Sequence, residues 1–291
     1  MKVCLECGRR FEGGEWICPG CGHSPELIDG LLSFARDMAR ENDGFSPEFF
    51  EDLAEVELKN FWFRSRNRLL TWALRRYFPD SENFLEVGCG TGFVLSGIRR
   101  ELPGLELWGS EVRVEGLDFA RKRLEGTTLF QMDARKIPFE DEFDVLGAFD
   151  VLEHIEEDDA VLREMFRATK PGGGIILTVP QHRFLWSVVD DYSFHKRRYS
   201  RKELSAKVEG AGFEVIRVSS FVFFLLPLML VNRIRRNVRE KSFDLMAELR
   251  INPALNALFE KALGIERFFM RAGLSFPAGG SLLLVGKKNR R

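Results

Sequence analysis

The sequence predicts an α/β fold with a largely parallel sheet, preceded by a small segment that a metal ion stabilises. From Asn83 onward, short apolar runs alternate with amphipathic stretches of helical length, which is typical of β–α–β units. Residues 1–30 are instead rich in cysteine and glycine and contain no long periodic run. A chain of 291 residues is long enough for one large domain and a small additional one.

The overall composition is that of an ordinary globular protein. Hydrophobic residues make up 45% and charged residues 30% of the chain, and the formal net charge is −1, which does not favour nucleic acid as a partner. The N-terminus lacks the apolar stretch of a secretory signal, and the longest apolar run, residues 221–231, is shorter than the ~20 residues that span a bilayer. We therefore expect a cytoplasmic protein, whose five cysteines bind metal or remain free thiols.

The chain divides into three predicted parts, which are residues 1–30, a helical segment at 31–80 and the α/β domain at 81–291. In the segment 31–80, a helix begins at Pro47 after Ser46 as its N-cap, and a second runs from residue 67 to 78. In the α/β domain, helices follow Gly92 and cover 114–124 and 158–169, and residues 221–276 form a helical insertion. The predicted strands are 84–87, 106–110, 128–131, 144–149, 174–179, 213–219 and 281–286.

Four cysteines near the N-terminus form two C-x2-C-G turns. Four thiolates suit a tetrahedral Zn²⁺, and such a closed site is structural rather than catalytic. Metal binding supplies the folding free energy that so short a segment lacks. The alternative is two disulfides or free thiols. We predict a zinc ribbon that folds as a module separate from the cofactor site, with the ligands Cys4, Cys7, Cys18 and Cys21.

A glycine loop follows the first strand of the α/β domain. Gly88, Gly90 and Gly92 have the spacing G-x-G-x-G, one residue short of the dinucleotide fingerprint, which weakens a nicotinamide or flavin interpretation. Glu111 lies 19 residues after Gly92, where a carboxylate can accept hydrogen bonds from both ribose hydroxyls. Asp133, after the third strand, can accept a hydrogen bond from an adenine amine.

These elements closely resemble the class I S-adenosylmethionine (SAM)-dependent methyltransferases, in the broad family that contains the ubiquinone-pathway enzymes. The resemblance rests on the motifs LEVGCGTG, MDA, FDVLEHI and KPGGG, and it covers roughly residues 83–218 and the final strand. It implies a Rossmann-like sheet of seven strands in the order 3-2-1-4-5-7-6, with strand seven antiparallel. The cofactor would cross the carboxyl ends of strands one to three.

The resemblance also implies the cofactor-binding residues. Glu86, Gly88, Gly90 and Gly92 match the positions that hold the methionine half, Glu111 the ribose position, Asp133 and Ala134 the adenine position, and Asp150 the position below the sulfonium. In a bacterial subset, the segment FWFRSRNRLL lies near the amino-acid end of the cofactor, so Arg66 would pair with its carboxylate. An acidic site suits the sulfonium cation and would repel a pyrophosphate, although such acids can also cap solvated loops.

The acceptor site is less defined by the sequence. The candidate general bases are His195, His154 and His182, with His195 favoured because acids, Tyr192 and Tyr199 surround it. A histidine in such a loop can equally be structural. The basic cluster of Lys196, Arg197, Arg198 and Arg201 either recognises an anionic acceptor group or is a solvated surface.

The motifs upstream and downstream of the domain resemble a subset that acts on small molecules or on surface-glycan and lipid precursors. We therefore favour methyl transfer to the oxygen of such an acceptor. Two alternatives remain, which are an rRNA or RNA methyltransferase that uses the ribbon to grip RNA, and a non-enzymatic SAM-binding scaffold. The oligomeric state is not predicted.

Residues 221–276 are expected to cover the acceptor site and to favour an apolar substrate. An apolar stretch beside basic residues is also typical of an interfacial helix, so contact with a membrane surface is a further expectation. A buried helix that extends the core is an equal alternative. The basic residues are Arg233, Arg235, Arg236, Arg239 and Lys241.

Overall fold

The structure is a computed structural model that describes residues 1–40, 47–236 and 249–290. Its main sheet contains seven strands of the α/β domain, and all seven lie within two residues of their predicted positions except for the earlier start of the fifth. They are β5 (Asn83–Val87), β6 (Glu106–Glu111), β7 (Thr128–Gln131), β8 (Phe143–Phe149), β9 (Thr169–Pro180), β10 (Glu214–Phe221) and β11 (Ser281–Lys287).

The strand order across the sheet is β10-β11-β9-β8-β5-β6-β7, followed by two N-terminal strands. If the seven strands of the α/β domain are numbered one to seven along the chain, this order is 6-7-5-4-1-2-3. It is the order implied by the resemblance, read from the opposite edge of the sheet. β5 pairs in parallel with β6 and β8, whereas β11 is antiparallel to both of its neighbours. The reversal at β5 means that the connections leave in opposite directions, which opens a crevice at the carboxyl ends of the central strands.

Both faces of the sheet are covered, which explains why the central strands are almost uniformly apolar. Neighbouring residues of β5 face opposite sides, so that Phe84 and Leu85 belong to two different core clusters. Helices α3 (Phe93–Glu101), α4 (Val114–Arg123), α5 (Asp158–Ala168) and α7 (Arg201–Gly210) connect the strands, and a short α6 spans Val188–Tyr192. The core therefore fixes the positions of the strand ends that carry the predicted site.

The prediction of a helical segment at 31–80 is wrong for its first residues. The N-terminal part contains β1 (Lys2–Val3), β2 (Arg10–Phe11), β3 (Glu26–Ile28) and β4 (Leu31–Ser33). β4 pairs in parallel with β7 and β3 pairs with β4, so the main sheet has nine strands. A side chain explains this docking, because the Gln131 amide oxygen accepts hydrogen bonds from the Ser33 hydroxyl at 2.8 Å and from the Ala35 amide at 3.0 Å.

The cysteine-rich segment also packs directly against the α/β domain. The Trp16 ring lies 4.6 Å from that of Phe34 and 5.4 Å from that of Phe139. Val3 donates a backbone hydrogen bond to Pro138 at 3.0 Å, and Arg10 forms an ion pair with Glu140 at 2.5 Å. The expectation of a separate module is therefore wrong, since apolar rings and main-chain hydrogen bonds join the two parts.

Two helices precede β5. α1 (Pro47–Lys59) begins at the predicted Pro47, and Ser46, its predicted cap, lies outside the described residues. α2 (Phe61–Tyr77) begins six residues earlier than predicted, because the Asn60 side chain accepts a hydrogen bond from the Trp62 amide at 2.8 Å and caps the helix there.

The predicted insertion at 221–276 is helical where the structure describes it. It contains α8 (Leu226–Arg236) and α9 (Pro253–Arg271), while Arg239 and Lys241 lie outside the described residues. α9 is fastened to α2, since the Asn256 side chain accepts a hydrogen bond from the Phe61 amide at 2.7 Å and Glu260 pairs with Arg68 at 2.5 Å. No helix among the described residues is long and apolar enough to cross a membrane.

Candidate active site

A cavity of about 1730 Å³, here called the main cavity, opens at the carboxyl ends of the central strands. Small-molecule sites usually measure roughly 300–1,000 Å³, so the main cavity has room for a cofactor and a second molecule. Its walls come from both ends of the chain, with α1 and α2 on one side and α8 and α9 on another. The predicted residues that line it are Arg66, Glu86, Gly88, Gly90, Glu111, Asp133, Ala134, Asp150, His154 and His195.

The glycine loop connects β5 to α3 in a conformation that other residues would strain. Gly88 has φ of +72°, and a Cβ there would lie 2.5 Å from Val151. Gly90 also has a positive φ, of +50°, but a Cβ there would meet nothing within 4 Å. The backbone of Gly90 therefore faces open space in the main cavity, where a ligand can approach it closely. Gly92, which is not a lining residue, caps α3 with φ of +74°.

Two glutamates, the buried Glu86 and the half-buried Glu111, stand beside this loop. Glu111 accepts hydrogen bonds from the backbone amides of Gly90 at 3.0 Å and Val112 at 2.8 Å, which hold its carboxylate toward the main cavity. Glu86 is fully buried, and one of its oxygens has no hydrogen-bond partner among the described residues. Burial raises the pKa of both carboxyl groups. Donors or a positive charge from a cofactor would satisfy them.

The end of the cavity near Asp133 includes a residue from the N-terminal segment. Met38 lines the main cavity together with Asp133, Ala134 and Arg113. Its backbone carbonyl accepts a hydrogen bond from Arg113 at 3.0 Å, and Arg135 pairs with Asp133 at 3.0 Å. The predicted adenine position is thus walled by the segment that carries the cysteines.

Asp150 and Arg66 lie opposite each other in the main cavity and form an ion pair. The Arg66 guanidinium also stacks 4.4 Å from the Trp62 ring, and its Nε has no hydrogen-bond partner among the described residues. Asp150 has a positive φ of 58°, a conformation that non-glycine residues rarely adopt and that clusters at functional sites. Arg66 therefore lines the cavity and pairs with Asp150 there.

The structure separates the three candidate histidines. His195 and His154 line the main cavity with ring centroids 4.7 Å apart. The 3-10 turn Leu152–His154 carries His154, so it does not open α5 as predicted. Burial lowers the pKa of His154 to about 3, which keeps its imidazole neutral. His182 is not a lining residue and stacks instead on Phe184 at 4.7 Å.

A residue that the sequence analysis did not single out orients His195. Asp190 is fully buried, and its Oδ1 lies 2.9 Å from Nδ1 of His195. Arg198 pairs with the same carboxylate at 2.6 Å. In the capping box of α6, the Ser187 backbone amide also donates a hydrogen bond to this carboxylate. These partners lower the pKa of Asp190 to about 2 even though its burial acts in the opposite direction. An ionised Asp190 favours the tautomer that carries a proton on Nδ1 of His195 and a lone pair on Nε2.

Most of the predicted basic cluster is engaged within the protein. Arg198 pairs with Asp190, Arg197 pairs with Asp158 at 3.1 Å, and Arg201 donates to the Phe276 carbonyl at 2.6 Å. Lys196 is exposed at the edge of the main cavity. Of the four cations, Lys196 is therefore the one best placed to meet an anionic group of an acceptor.

The four N-terminal cysteines come together as predicted. Their sulfur atoms all lie within 4.8 Å of one another, with Cys4 and Cys21 at 3.6 Å and Cys7 and Cys18 at 3.6 Å. Sulfur atoms bound at about 2.3 Å to a tetrahedral Zn²⁺ would be separated by about 3.8 Å, so the group fits this ion. All cysteines of the chain are described, and none forms a disulfide.

Comparison with known proteins identifies the central part of the chain. A profile of the methyltransferase domain family matches residues 85–177. This chain carries a SAM-dependent methyltransferase domain. A probable SAM-dependent methyltransferase of Mycolicibacterium smegmatis is 28% identical over 54% of this chain and 61% of its own length. The ubiquinone/menaquinone biosynthesis C-methyltransferase UbiE of Desulfotalea psychrophila is 28% identical over 39% of this chain and 49% of its own length.

Several solved structures have a fold similar to that of this chain. Phosphoethanolamine N-methyltransferase 2 of Haemonchus contortus, solved with SAM, has a TM-score of 0.57 and 17% identity and covers 91% of this chain and 62% of its own. The [4+2]-cyclase SpnF has a TM-score of 0.53 and 20% identity and covers 79% of this chain and 84% of its own. The chain spans less than two thirds of the length of each of the two curated relatives above.

Proposed function

We propose that the protein transfers the methyl group of SAM to an oxygen of an apolar small molecule or of a lipid or glycan precursor. One observation carries the proposal: a single cavity joins the glycine loop and its acidic groups to an apolar chamber with His195 in its wall. When bound there, SAM supplies a methyl group on a sulfonium, which is already activated for displacement. The protein then has to position the acceptor and assist the loss of its proton.

The residues of the methyltransferase domain suit this cofactor. Gly90 leaves open space at the backbone, Glu111 is held by amides for two hydroxyl donors, and Glu86 has a buried oxygen that lacks a partner. Asp150 and Arg66 provide one negative and one positive group opposite each other. An amino acid with a carboxylate and an ammonium is complementary to such a pair.

The chamber beyond these groups is apolar. Leu225, just before α8, and Met229 of α8 line the chamber from one side, and Leu255 and Phe259 of α9 line it from another. Exposed apolar residues continue on these helices, including Leu228, Leu258 and Phe268. We propose that α8 and α9 cover an acceptor with an apolar portion, and that this surface also permits contact with a membrane.

The oxygen acceptor is supported by the arrangement around His195. Asp190 accepts a hydrogen bond from Nδ1–H, which leaves the lone pair of Nε2 to assist the removal of the acceptor's proton. In the transfer, the acceptor oxygen bonds to the methyl carbon as the carbon–sulfur bond breaks, and the hydroxyl proton leaves the acceptor. Lys196 at the cavity edge would favour an acceptor with an anionic group.

We further propose that the cysteine cluster binds one structural Zn²⁺. The four sulfurs offer a complete tetrahedral ligand set with no open position for a substrate. Elemental analysis of purified protein should find about one zinc per chain. Iron with visible absorption, or the absence of metal, would contradict the proposal.

Experiments can distinguish two alternative functions, which are methyl transfer to RNA and a non-enzymatic SAM-binding scaffold. The [4+2]-cyclase with this fold shows that the fold alone does not determine the reaction. A solved complex between the Trm112 methyltransferase activator of Haloferax volcanii and a methyltransferase is similar to this chain, with a TM-score of 0.51 and 19% identity. A protein partner is therefore worth seeking for this chain as well. An RNA acceptor would show as salt-dependent binding of bulk RNA.

The test is a cell extract incubated with the protein and methyl-labelled SAM, followed by extraction into organic solvent and identification of the labelled product. We expect label in an apolar compound with a new methyl ether or ester. Label in RNA would favour the alternative acceptor. SAM binding without formation of S-adenosylhomocysteine in any extract would favour the non-enzymatic scaffold.

A further inference from the structure

Three side chains with metal-binding chemistry meet in the wall of the main cavity. Glu153 and His154 are consecutive residues of the turn after β8, and His195 comes from the segment after α6. One potential ligand atom from each residue lies within 4.8 Å of the other two. The site is distinct from the cysteine cluster, and all three residues line the main cavity.

Glu153 is the unusual member of this group. Its side chain is fully buried, and neither carboxylate oxygen accepts a hydrogen bond from another described residue. A buried carboxyl group that lacks a hydrogen-bond partner is rare in folded proteins unless a ligand or an ion completes it.

Both histidines are already held as metal ligands are held. His195 is bonded through Nδ1 to buried Asp190, and the His154 ring is hydrogen-bonded to the backbone carbonyl of Ser193. Histidines that bind metal almost always donate their second ring N–H to a carboxylate or a backbone carbonyl in this way. Both rings are therefore held in place, and the contact with Asp190 leaves the lone pair of His195 on Nε2.

We propose that Glu153, His154 and His195 bind a divalent first-row transition-metal ion at the acceptor end of the main cavity. Two imidazoles and one carboxylate are a ligand set of catalytic metal sites, which leave further coordination positions open. Three equally spaced ligand atoms bound to one ion at roughly 2.0–2.2 Å lie at most about 3.8 Å from one another, so side-chain movements of about an ångström would close the site.

The consequence for the reaction rests on the proposed function. An acceptor hydroxyl that takes an open position on the ion becomes more acidic, because the positive charge stabilises the alkoxide. The proton then leaves to water at the cavity mouth, and the oxygen remains for the methyl group. With the ion bound, Nε2 of His195 would coordinate the ion instead of acting directly as the base, and Asp190 would position the His195 ring.

Cobalt(II) is a suitable probe for the site. It is added to the folded protein whose cysteine cluster already holds zinc, and binding is followed by calorimetry and by visible absorption. We expect one Co²⁺ per chain with weak visible bands and without the intense near-ultraviolet band of cobalt bound to thiolates. The two metal sites are thereby distinguished in the same sample.

Matched variants locate the ion. Glu153→Gln and His195→Gln should each weaken Co²⁺ binding by more than the roughly 10- to 100-fold that the loss of an outer-shell partner causes. His182→Gln removes a histidine outside the main cavity and should leave the affinity unchanged. Unaltered SAM binding shows that each variant is folded.

The proposal is overturned if folded wild-type protein binds no Co²⁺ beyond the cysteine cluster, or if Glu153→Gln and His195→Gln bind it as tightly as the wild type. These outcomes do not depend on transfer activity. Methyl transfer that persists after dialysis against a chelator, with SAM binding intact, would retain the proposed function and remove the role of the ion in it.

Discussion

Loss of metal from the cysteine cluster should weaken SAM binding, although the cysteines lie outside the main cavity. The connection is short in sequence and continuous in space. The ribbon is followed by β3 and β4, which extend the main sheet beside β7, and then by Met38, which lines the cavity next to Asp133. The perturbation is Cys4→Ser, which removes one thiolate and with it the metal.

The expected magnitude follows from what the segment contributes to the cavity. Withdrawal of the Met38 side chain from the cofactor removes about 1–2 kcal/mol of apolar contact. Arg113 also loses its hydrogen bond to the Met38 carbonyl, which contributes about 1 kcal/mol to its orientation beside Glu111. The sum of about 2–3 kcal/mol corresponds to a Kd for SAM that is roughly 30- to 150-fold higher.

The assay is calorimetric titration of SAM into wild-type protein, Cys4→Ser and two further variants, with zinc measured in each. Glu6→Gln changes an exposed residue between two of the cysteines and should bind both zinc and SAM normally. Met38→Ala should keep zinc and lose part of the SAM affinity. If Cys4→Ser is folded and free of zinc yet binds SAM as the wild type does, the coupling is refuted.

Three further predictions test single side chains. Glu111→Ala should weaken the binding free energy of SAM by about 1–3 kcal/mol because two charge-assisted hydrogen bonds are lost, and an unchanged titration would remove Glu111 from the site. His195→Gln should abolish methyl transfer and keep SAM binding, whereas His182→Gln should keep both, and equal activities would contradict this assignment. Burial raises the pKa of Glu266 from 4.5 to about 7, so its protonated form favours the folded state. The wild type should therefore lose up to about 3 kcal/mol of stability as the pH rises from about 4.5 through 7, and Glu266→Gln should remove this part of the slope of Tm against pH; an unchanged slope would contradict this role of Glu266.

The sequence was sufficient for the α/β sheet because its strands are buried on both faces and separated by long amphipathic helices. Such runs are apolar throughout, and glycine or proline marks their ends. It was insufficient for β3 and β4, which contain three residues each and have no periodicity of their own. Their place in the sheet depends on hydrogen bonds to Gln131, a contact across about a hundred residues of chain.

Prediction of the site divides in the same way. The proposed cofactor residues lie at or near strand ends, and parallel strands bring their carboxyl ends to one edge, so Glu86, Glu111 and Asp133 could be placed together from sequence alone. Asp190 and Glu153 could not be. Asp190 is recognisable only as the acid of an S-x-x-D capping box, and Glu153 is one of several acids in the segment DVLEHIEEDD with nothing to mark it out. Their importance arises from burial and from neighbours distant in sequence.

The pairing of β4 with β7 has a consequence for association between copies of the chain. Without residues 1–39, β7 would be the last strand of the sheet, with unpaired backbone groups next to the aromatic side chains of Phe130 and Phe139 that Trp16 and Phe34 now shield. An open, apolar sheet edge is a template for strand addition. A truncated methyltransferase domain should therefore self-associate, whereas in the full chain the outermost strand is the three-residue β3, which carries Glu26 and offers little length for another strand to pair with.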